Sequence, residues 1–224
     1  MRTYAIIPAG GKGKRAGGKT PKQYLKLKGK EMIAHTLDIF QQSPFVDEII
    51  AAVDNSYFDL LKKLKKKYAI TKLTKVVCGG VERQDSVYNA LKSINAEKDD
   101  LIIIHDAARP LLPINVLQDA IKTAVKRGNS IVCIKAKDTL LKGRELVQHY
   151  IDRTDVLYAQ TPQIFKYADI MLAMKKAYEE NLICTDESTL AFRVGIKINI
   201  VEGSAFNFKV TTKEDVDIIR KLIK

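Results

Sequence analysis

The chain has 224 residues, 46% of them hydrophobic and 29% charged, enough for one sizeable core and short for two independent domains. Its 38 lysines and arginines outnumber 26 acidic residues, and the net charge of +12 suits anionic partners, either nucleic acid or phosphorylated small molecules. No apolar run reaches the roughly 18–20 residues of a membrane span, and the short apolar run after Met1 and Arg2 is no secretory signal, so a cytoplasmic location without membrane contact is expected.

Residues 4–8 (YAIIP) predict a strand, and 31–42 (EMIAHTLDIFQQ) a helix with Ile33, Leu37 and Phe40 on one side. A second strand follows at 48–53 (EIIAAV). The next segment is an amphipathic helix in which Leu60, Leu61 and Leu64 form the buried stripe. Lys62, Lys63, Lys65, Lys66 and Lys67 fill its wet face, so much of the positive charge is a solvated helix surface. No basic patch interleaved with aromatics occurs, which speaks against a single-strand nucleic-acid binder. A strand at 75–78 (KVVC), a helix burying Val87, Ala90, Leu91 and Ile94, and a strand at 101–104 (LIII) come next. A helix near 114–126 leads to a strand at 130–135 (SIVCIK).

Residues 138–161 break this rhythm. A turn around Lys142 and Gly143 separates two runs of mixed polarity, consistent with either a projecting hairpin or a surface excursion. Helices near 166–180 and 186–194, strands at 196–201 and 206–210, and a final helix after Thr212 complete the chain. Thr212 with Asp215 has the form of a capping box. With no internal repeat or interdomain linker, residues 1–224 are expected to form a single domain.

Near-continuous apolar strands alternating with amphipathic helices predict an α/β fold, a mostly parallel sheet with helices on both faces. Such sheets bind ligands beyond the carboxyl ends of their strands. Cys78, Cys133 and Cys184 are scattered, which implies reduced thiols in or near the core rather than a disulfide framework or a metal site. His35 and His149 read as structural.

Three strands end in unusual residues: AGGKGKRAGGKTPKQY after the first, GGVERQDS after the third and HDAARP after the fourth. In a parallel sheet all three converge on one rim. Gly11, Gly13 and Ala16 match a dinucleotide-binding fingerprint, but the acidic residue about 20 positions on is missing. Gly13 to Thr20 (GKRAGGKT) satisfies the P-loop pattern literally. Pro21 follows, however, and no helical periodicity appears before Glu31, whereas a P-loop opens its helix at once. The segment reads better as a glycine-rich loop whose N–H groups wrap a triphosphate, with Lys12, Lys14, Arg15, Lys19 and Lys22 as its cations. Asp106 is placed to help hold Mg2+ through that triphosphate or to orient a second substrate. His105, Thr185-Asp186-Glu187 and Lys209, each taken alone, read as structural.

Together these clusters resemble the 2-C-methyl-D-erythritol 4-phosphate cytidylyltransferase family. The resemblance runs through the loop at 8–16, PKQY at 21–24, GGVERQDS at 79–86 and HDAARP at 105–110. It continues through DT at 138–139, DR at 152–153, TPQ at 161–163, TDE at 185–187 and NFKVT at 207–211. It implies a Rossmann-like nucleotidyltransferase fold with a β-hairpin arm at about 138–161, exchanged between the subunits of a homodimer. It implies transfer of CMP from CTP to methylerythritol phosphate with release of pyrophosphate, in the non-mevalonate route to isoprenoids. Ribitol 5-phosphate is the alternative acceptor, and a P-loop kinase or ATPase and a basic nucleic-acid-binding module are the readings from other classes.

By the same resemblance Ala9, Gly10, Gly11 and Gly13 would hold the CTP phosphates, with Arg15 and Lys22 stabilising the transition state. Gly80 and Ser86 would read the cytosine and ribose. Asp106, Arg109, Thr185 and Lys209 would line the acceptor side, Arg153 and Lys209 clamping its phosphate. Thr139, Arg153 and Thr161 would reach into the neighbouring subunit. The implied cofactor is Mg2+, held mainly by phosphates with Asp106 as its protein-side carboxylate. Gly10 and Ala16 depart from the Ala and Met more usual in the family.

Overall fold

The computed structural model describes residues 1–11 and 20–223. β1 (Thr3–Ala9) is followed, beyond the undescribed segment, by a 3₁₀ turn at Lys22–Tyr24 and a miniature hairpin of β2 (Lys26–Leu27) and β3 (Lys30–Glu31). This hairpin, unforeseen in the sequence, turns on Lys28 and Gly29, both at positive φ (46° and 84°), as two-residue hairpin turns require. No α-helix occurs among the described residues from Thr20 to Glu31, so the helix that a P-loop would open there is missing.

α1 (Met32–Gln42), β4 (Glu48–Val53), α2 (Phe58–Lys67), β5 (Leu73–Cys78), α3 (Arg83–Ser93) and β6 (Leu101–Ile104) then alternate. α4 (Ile114–Arg127) and β7 (Asn129–Lys135) precede a hairpin of β8 (Leu140–Gly143) and β9 (Val147–Ile151). β10 (Leu157–Lys166), α5 (Tyr167–Glu179), α6 (Glu187–Arg193), β11 (Ile200–Glu202) and α7 (Lys213–Leu222) follow.

Seven strands form one sheet in the order β11-β7-β10-β6-β1-β4-β5. Only β10 runs antiparallel, between β6 and β7. Side-chain alternation along each strand builds two cores. Ala5, Ile7, Ile49, Ala51 and Ile103 face α1, α2 and α4. Tyr4, Ile6, Ile50, Ile102 and Ile104 face α3, α5 and α6. A third cluster packs α7, through Val216 and Ile219, against Leu27, Met32 and Ala108 at the edge of the strand ends.

The central sheet positions are exposed on neither face, which is why the strands read as continuous apolar runs. In the lysine-rich helix Leu61 and Leu64 are buried, and the capping box joins Thr212 and Asp215 as expected. Cys133 is buried and Cys184 half-buried, but Cys78, at the end of an edge strand, is exposed.

Several boundaries differ from the sequence reading. Residues 206–210 form a 3₁₀ turn (Ala205–Asn207) and an unpaired extended segment rather than a strand. Fully buried Asn207 donates to the carbonyl of Thr161 at 2.7 Å, and Val210 N–H donates to Ala108 O, so this segment is bound to the strand ends instead of a ladder. Of 196–201 only the end enters the sheet, as β11. The excursion is a hairpin, but its bend lies at 144–146, because Gly143 already pairs with Val147. It also ends before Leu157, where β10 pairs with β7, so Thr161 belongs to the main sheet.

Candidate active site

The carboxyl ends of β1, β5 and β6 open on a cavity of about 370 Å³. Ala9, Gly10 and Gly11 line one wall, Gly80 and Ser86 another, and Asp106 with Ala107 a third. Lys22 and Lys209 enter from the sides. A smaller cavity of about 130 Å³ adjoins it, shares Asp106 and Lys209, and adds Arg109, Thr161 and Thr185. Three distant chain segments thus meet as predicted. Thr139 and Arg153 line neither cavity; both are exposed at the base of the hairpin, and Arg153 donates to the carbonyl of Lys137. Gly13 and Arg15, with Ala16, lie outside the described residues.

The walls formed by Gly10 and Gly80 are built by close backbone approach. A Cβ on Gly10 would sit 3.2 Å from Ser86 Oγ and 3.4 Å from the Cα of Gly79, so the first and third strand ends approach closely and a methyl group there would fit only with a small shift of its neighbours. At Gly80 a Cβ would lie 2.0 Å from the Cβ of Asp85, which leaves no room for any other residue. Ser86 Oγ accepts from Gly80 N–H at 3.0 Å and donates to Glu82 O at 3.2 Å. Asp85 closes a capping box with Glu82, so the acid of this motif starts α3 and is not a ligand group.

Gln23, which sequence reasoning passed over, staples the glycine-rich segment. Its Nε2 donates to Ala9 O at 2.8 Å and to Gly11 O at 2.7 Å. The Tyr24 hydroxyl adds a bond to Ala9 O at 3.1 Å, and its ring stacks on Tyr57 with centroids 3.8 Å apart. These contacts seat Lys22 beside the loop.

Asp106 lines both cavities. Its carboxylate faces Arg83 Nε at 3.0 Å, Arg109 Nε at 3.1 Å and Lys209 Nζ at 3.1 Å. Burial alone would raise this carboxyl, but Arg83, Lys209 and Arg109 outweigh it and hold it far below the usual carboxylate range. Arg109 is fixed from behind by the carbonyl of Asn207 at 2.7 Å. Gln84, clamped between Leu182 O and Cys184 N–H, sets the segment that presents Thr185.

His105 is fully buried, and its hydrogen bonds assign its tautomer. Asp106 N–H can only donate, so Thr161 Oγ1, 3.1 Å away, accepts from it. Arg109 O can only accept, so His105 Nε2, 3.1 Å from it, carries the proton of the neutral ring, and the bare Nδ1 accepts from the Thr161 hydroxyl at 3.0 Å. A register shift in β10 between Ala159 and Gln163 aims Thr161 inward to join this chain, an example of a bulge beside a site.

Burial pushes His105 down to about 4 from an ordinary 6.5. Because the folded value is the lower one, neutral His105 stabilises the fold above pH 6.5, and that contribution, up to about 3 kcal/mol, is lost as pH falls from 6.5 towards 4. Urea unfolding at pH 7 and at pH 4.5 should therefore show a steeper acid loss in the native protein than in His105→Asn. Equal losses would mean that the imidazole is not held neutral.

A family model described as IspD, 2-C-methyl-D-erythritol 4-phosphate cytidylyltransferase, matches residues 3–224. The chain belongs to this family. A cytidylyltransferase of that name from Geotalea uraniireducens is 37% identical over the whole of this chain and 97% of its own length. One from Syntrophus aciditrophicus is 37% identical over all of this chain and 96% of its own. The crystal structure of the Francisella tularensis IspD covers both chains completely, with 31% identity and a TM-score of 0.84. The synthase structure from Anaerococcus prevotii has a TM-score of 0.86 at 27% identity, covering 99% of this chain and 95% of that one. The IspD family is a cytidylyltransferase family, and the likeness spans sheet, helices and hairpin alike.

Proposed function

We propose that the chain transfers CMP from CTP to 2-C-methyl-D-erythritol 4-phosphate, releasing pyrophosphate, as a step of isoprenoid biosynthesis. The observation that carries this reading is the meeting of three strand ends around one cavity, with a cation-rich annex centred on Asp106 beside it. In this reading Gly80 and Ser86 read the base and ribose, and Ala9, Gly10, Gly11 and Lys22, which line the same cavity, hold the phosphates. Gly13 and Arg15 complete that loop in this reading.

The acceptor needs no general base. A phosphomonoester has a second pKa near 6, so it is mostly dianionic at neutral pH, and its oxygen attacks the α-phosphorus directly. The new P–O bond forms as the bond from the α-phosphorus to the bridging oxygen breaks, and the electron pair leaves with pyrophosphate. The protein holds two repelling anions in line and relieves charge on the leaving group. Lys22 and Arg15 serve the nucleotide, and Lys209 and Arg109 the acceptor, with Thr185 on its rim.

Asp106 fits poorly as a Mg2+ ligand, since both its oxygens already face cations. Among the described residues no group of three or more His, Cys, Asp or Glu side chains is gathered to hold a metal. In this reading Mg2+ arrives with the triphosphate, whose charge it offsets.

The partners are CTP and a small polyol phosphate rather than nucleic acid or a membrane, and the enzyme acts in the cytoplasm. No described helix is long and apolar enough to cross a membrane. The working form is a homodimer with exchanged arms. The hairpin supports this: Leu146, Val147 and Tyr150 are 82%, 55% and 72% exposed, and a lone two-stranded hairpin is marginal in water. Thr139 and Arg153, idle in their own subunit, would then serve the neighbour's acceptor site. Mixing inactive Lys22→Ala and Arg153→Ala subunits should restore activity, since one of the two sites of a mixed dimer is then intact; no recovery would remove the exchanged arm.

Pyrophosphate release tests the whole reading. With CTP it should appear with methylerythritol phosphate, far more slowly with ribitol 5-phosphate and not without acceptor. Equal or faster release with ribitol 5-phosphate would reassign the acceptor, and ADP formed from ATP would replace the reading with a kinase.

A further inference from the structure

Arg83 sits on the border of the two cavities and lines both, yet sequence reasoning did not single it out. Its Nε donates to Asp106 Oδ1 at 3.0 Å, and its Nη1 reaches both oxygens of Glu187, at 2.6 and 2.7 Å. Glu187, on the first turn of α6, is 1% exposed. Arg83 Nη2 is buried and has no hydrogen-bond partner among the described residues. A guanidinium suits this post because its separate N–H groups engage two carboxylates at fixed angles, which a lysine cannot do.

The charges explain what the arrangement achieves. Asp106 is one negative charge facing three cations. With Arg83 on Oδ1, Arg109 and Lys209 share Oδ2, and Lys209 is the member with access to solvent, its side chain 38% exposed. Counting Glu187, the five ion-paired groups keep a surplus of one positive charge; Asp186 lines the same cavity but is engaged by Ser188 and Thr189 instead. Without Arg83 the surplus vanishes and Asp106 pulls on Lys209 and Arg109 alone, in a setting where water screens poorly.

We propose that Arg83 is a positioning residue for transfer: braced by Glu187, it occupies one oxygen of Asp106 and leaves the charge of Lys209 and Arg109 to an acceptor phosphate. This assignment rests on the cytidylyl-transfer reading.

A charge ladder tests it. Arg83→Gln removes the surplus, Arg83→Gln with Glu187→Gln restores it, and Glu187→Gln alone doubles it. KM for methylerythritol phosphate should rise about tenfold or more in Arg83→Gln, with KM for CTP within about threefold, and the double variant should recover most of the loss. Inorganic phosphate, titrated at low ionic strength and followed by 31P NMR, should bind in the order Glu187→Gln, then native and double variant, then Arg83→Gln. If Arg83→Gln does not fold, the order of the remaining three decides. Phosphate affinity unrelated to the ladder, or both KM values moving together, would overturn the proposal. Because phosphate binding needs no turnover, a native protein that obeys the ladder but releases no pyrophosphate would sink the transfer reading and leave the electrostatic role of Arg83 standing.

Discussion

Lys22→Ala should lower kcat at saturating CTP by about 10²–10³-fold while changing KM for CTP far less. The residue starts the 3₁₀ turn Lys22–Tyr24, and the next two side chains tie that turn to the end of β1 through Ala9 O and Gly11 O. Its backbone is thereby fixed against the loop that faces the cavity. A cation so placed gains most when negative charge accumulates on departing pyrophosphate, so its removal weakens the transition state more than the bound nucleotide. Arg15→Ala is expected to behave alike. Steady-state kinetics with CTP varied decides the matter: full turnover in Lys22→Ala would take the residue out of the chemistry.

The largest effect on stability is expected from Asp106→Ala. Three cations converge on this carboxylate, which is 6% exposed, and the variant leaves them facing one another with Glu187 alone in compensation. Removing one partner from a buried ionic group costs about 3–5 kcal/mol. For a chain of this size that corresponds to a fall in Tm on the order of 10 °C. Activity should be lost at temperatures where the variant is still folded, since Lys209 and Arg109 then repel each other out of place. Calorimetry beside an activity assay would test both; an unchanged Tm would show that the three cations are solvated and not bound to Asp106.

Much of this was readable from residue patterns, and the reasons are specific. The apolar strands EIIAAV and LIII were placed to the residue because parallel strands covered on both faces admit little else. The convergence of the glycine loop, GGVERQDS and HDAARP followed from strand polarity alone. What escaped were residues whose direction depends on helix phase or on irregular backbone. Arg83, Gln23 and Glu187 all lie inside the quoted motifs, yet composition does not tell which member of GGVERQDS caps a helix, as Asp85 does, and which points into the cavity. Thr161 reads from the sequence as reaching into a neighbour, whereas the shift in β10 turns it to Asp106 of its own chain, and Asn207 is buried because it binds a carbonyl there, a contact that alternation cannot reveal. NFKV resembles a strand by hydrophobicity and is anchored by hydrogen bonds of other kinds.

The short link between the hairpin and β10 has one more consequence. β9 ends at Ile151, β10 begins at Leu157, and Thr161, which holds Asp106 N–H, lies on that same strand. In the exchanged-arm dimer proposed above, a partner holding the hairpin would therefore act on the smaller cavity through the segment from Ile151 to Thr161. If subunit association sharpens acceptor binding by some factor, thermodynamic reciprocity demands that acceptor sharpen association equally. Protein diluted until its subunits part would then be reassembled by its own substrate, and specific activity at low enzyme concentration would climb with acceptor more steeply than saturation of a single site allows.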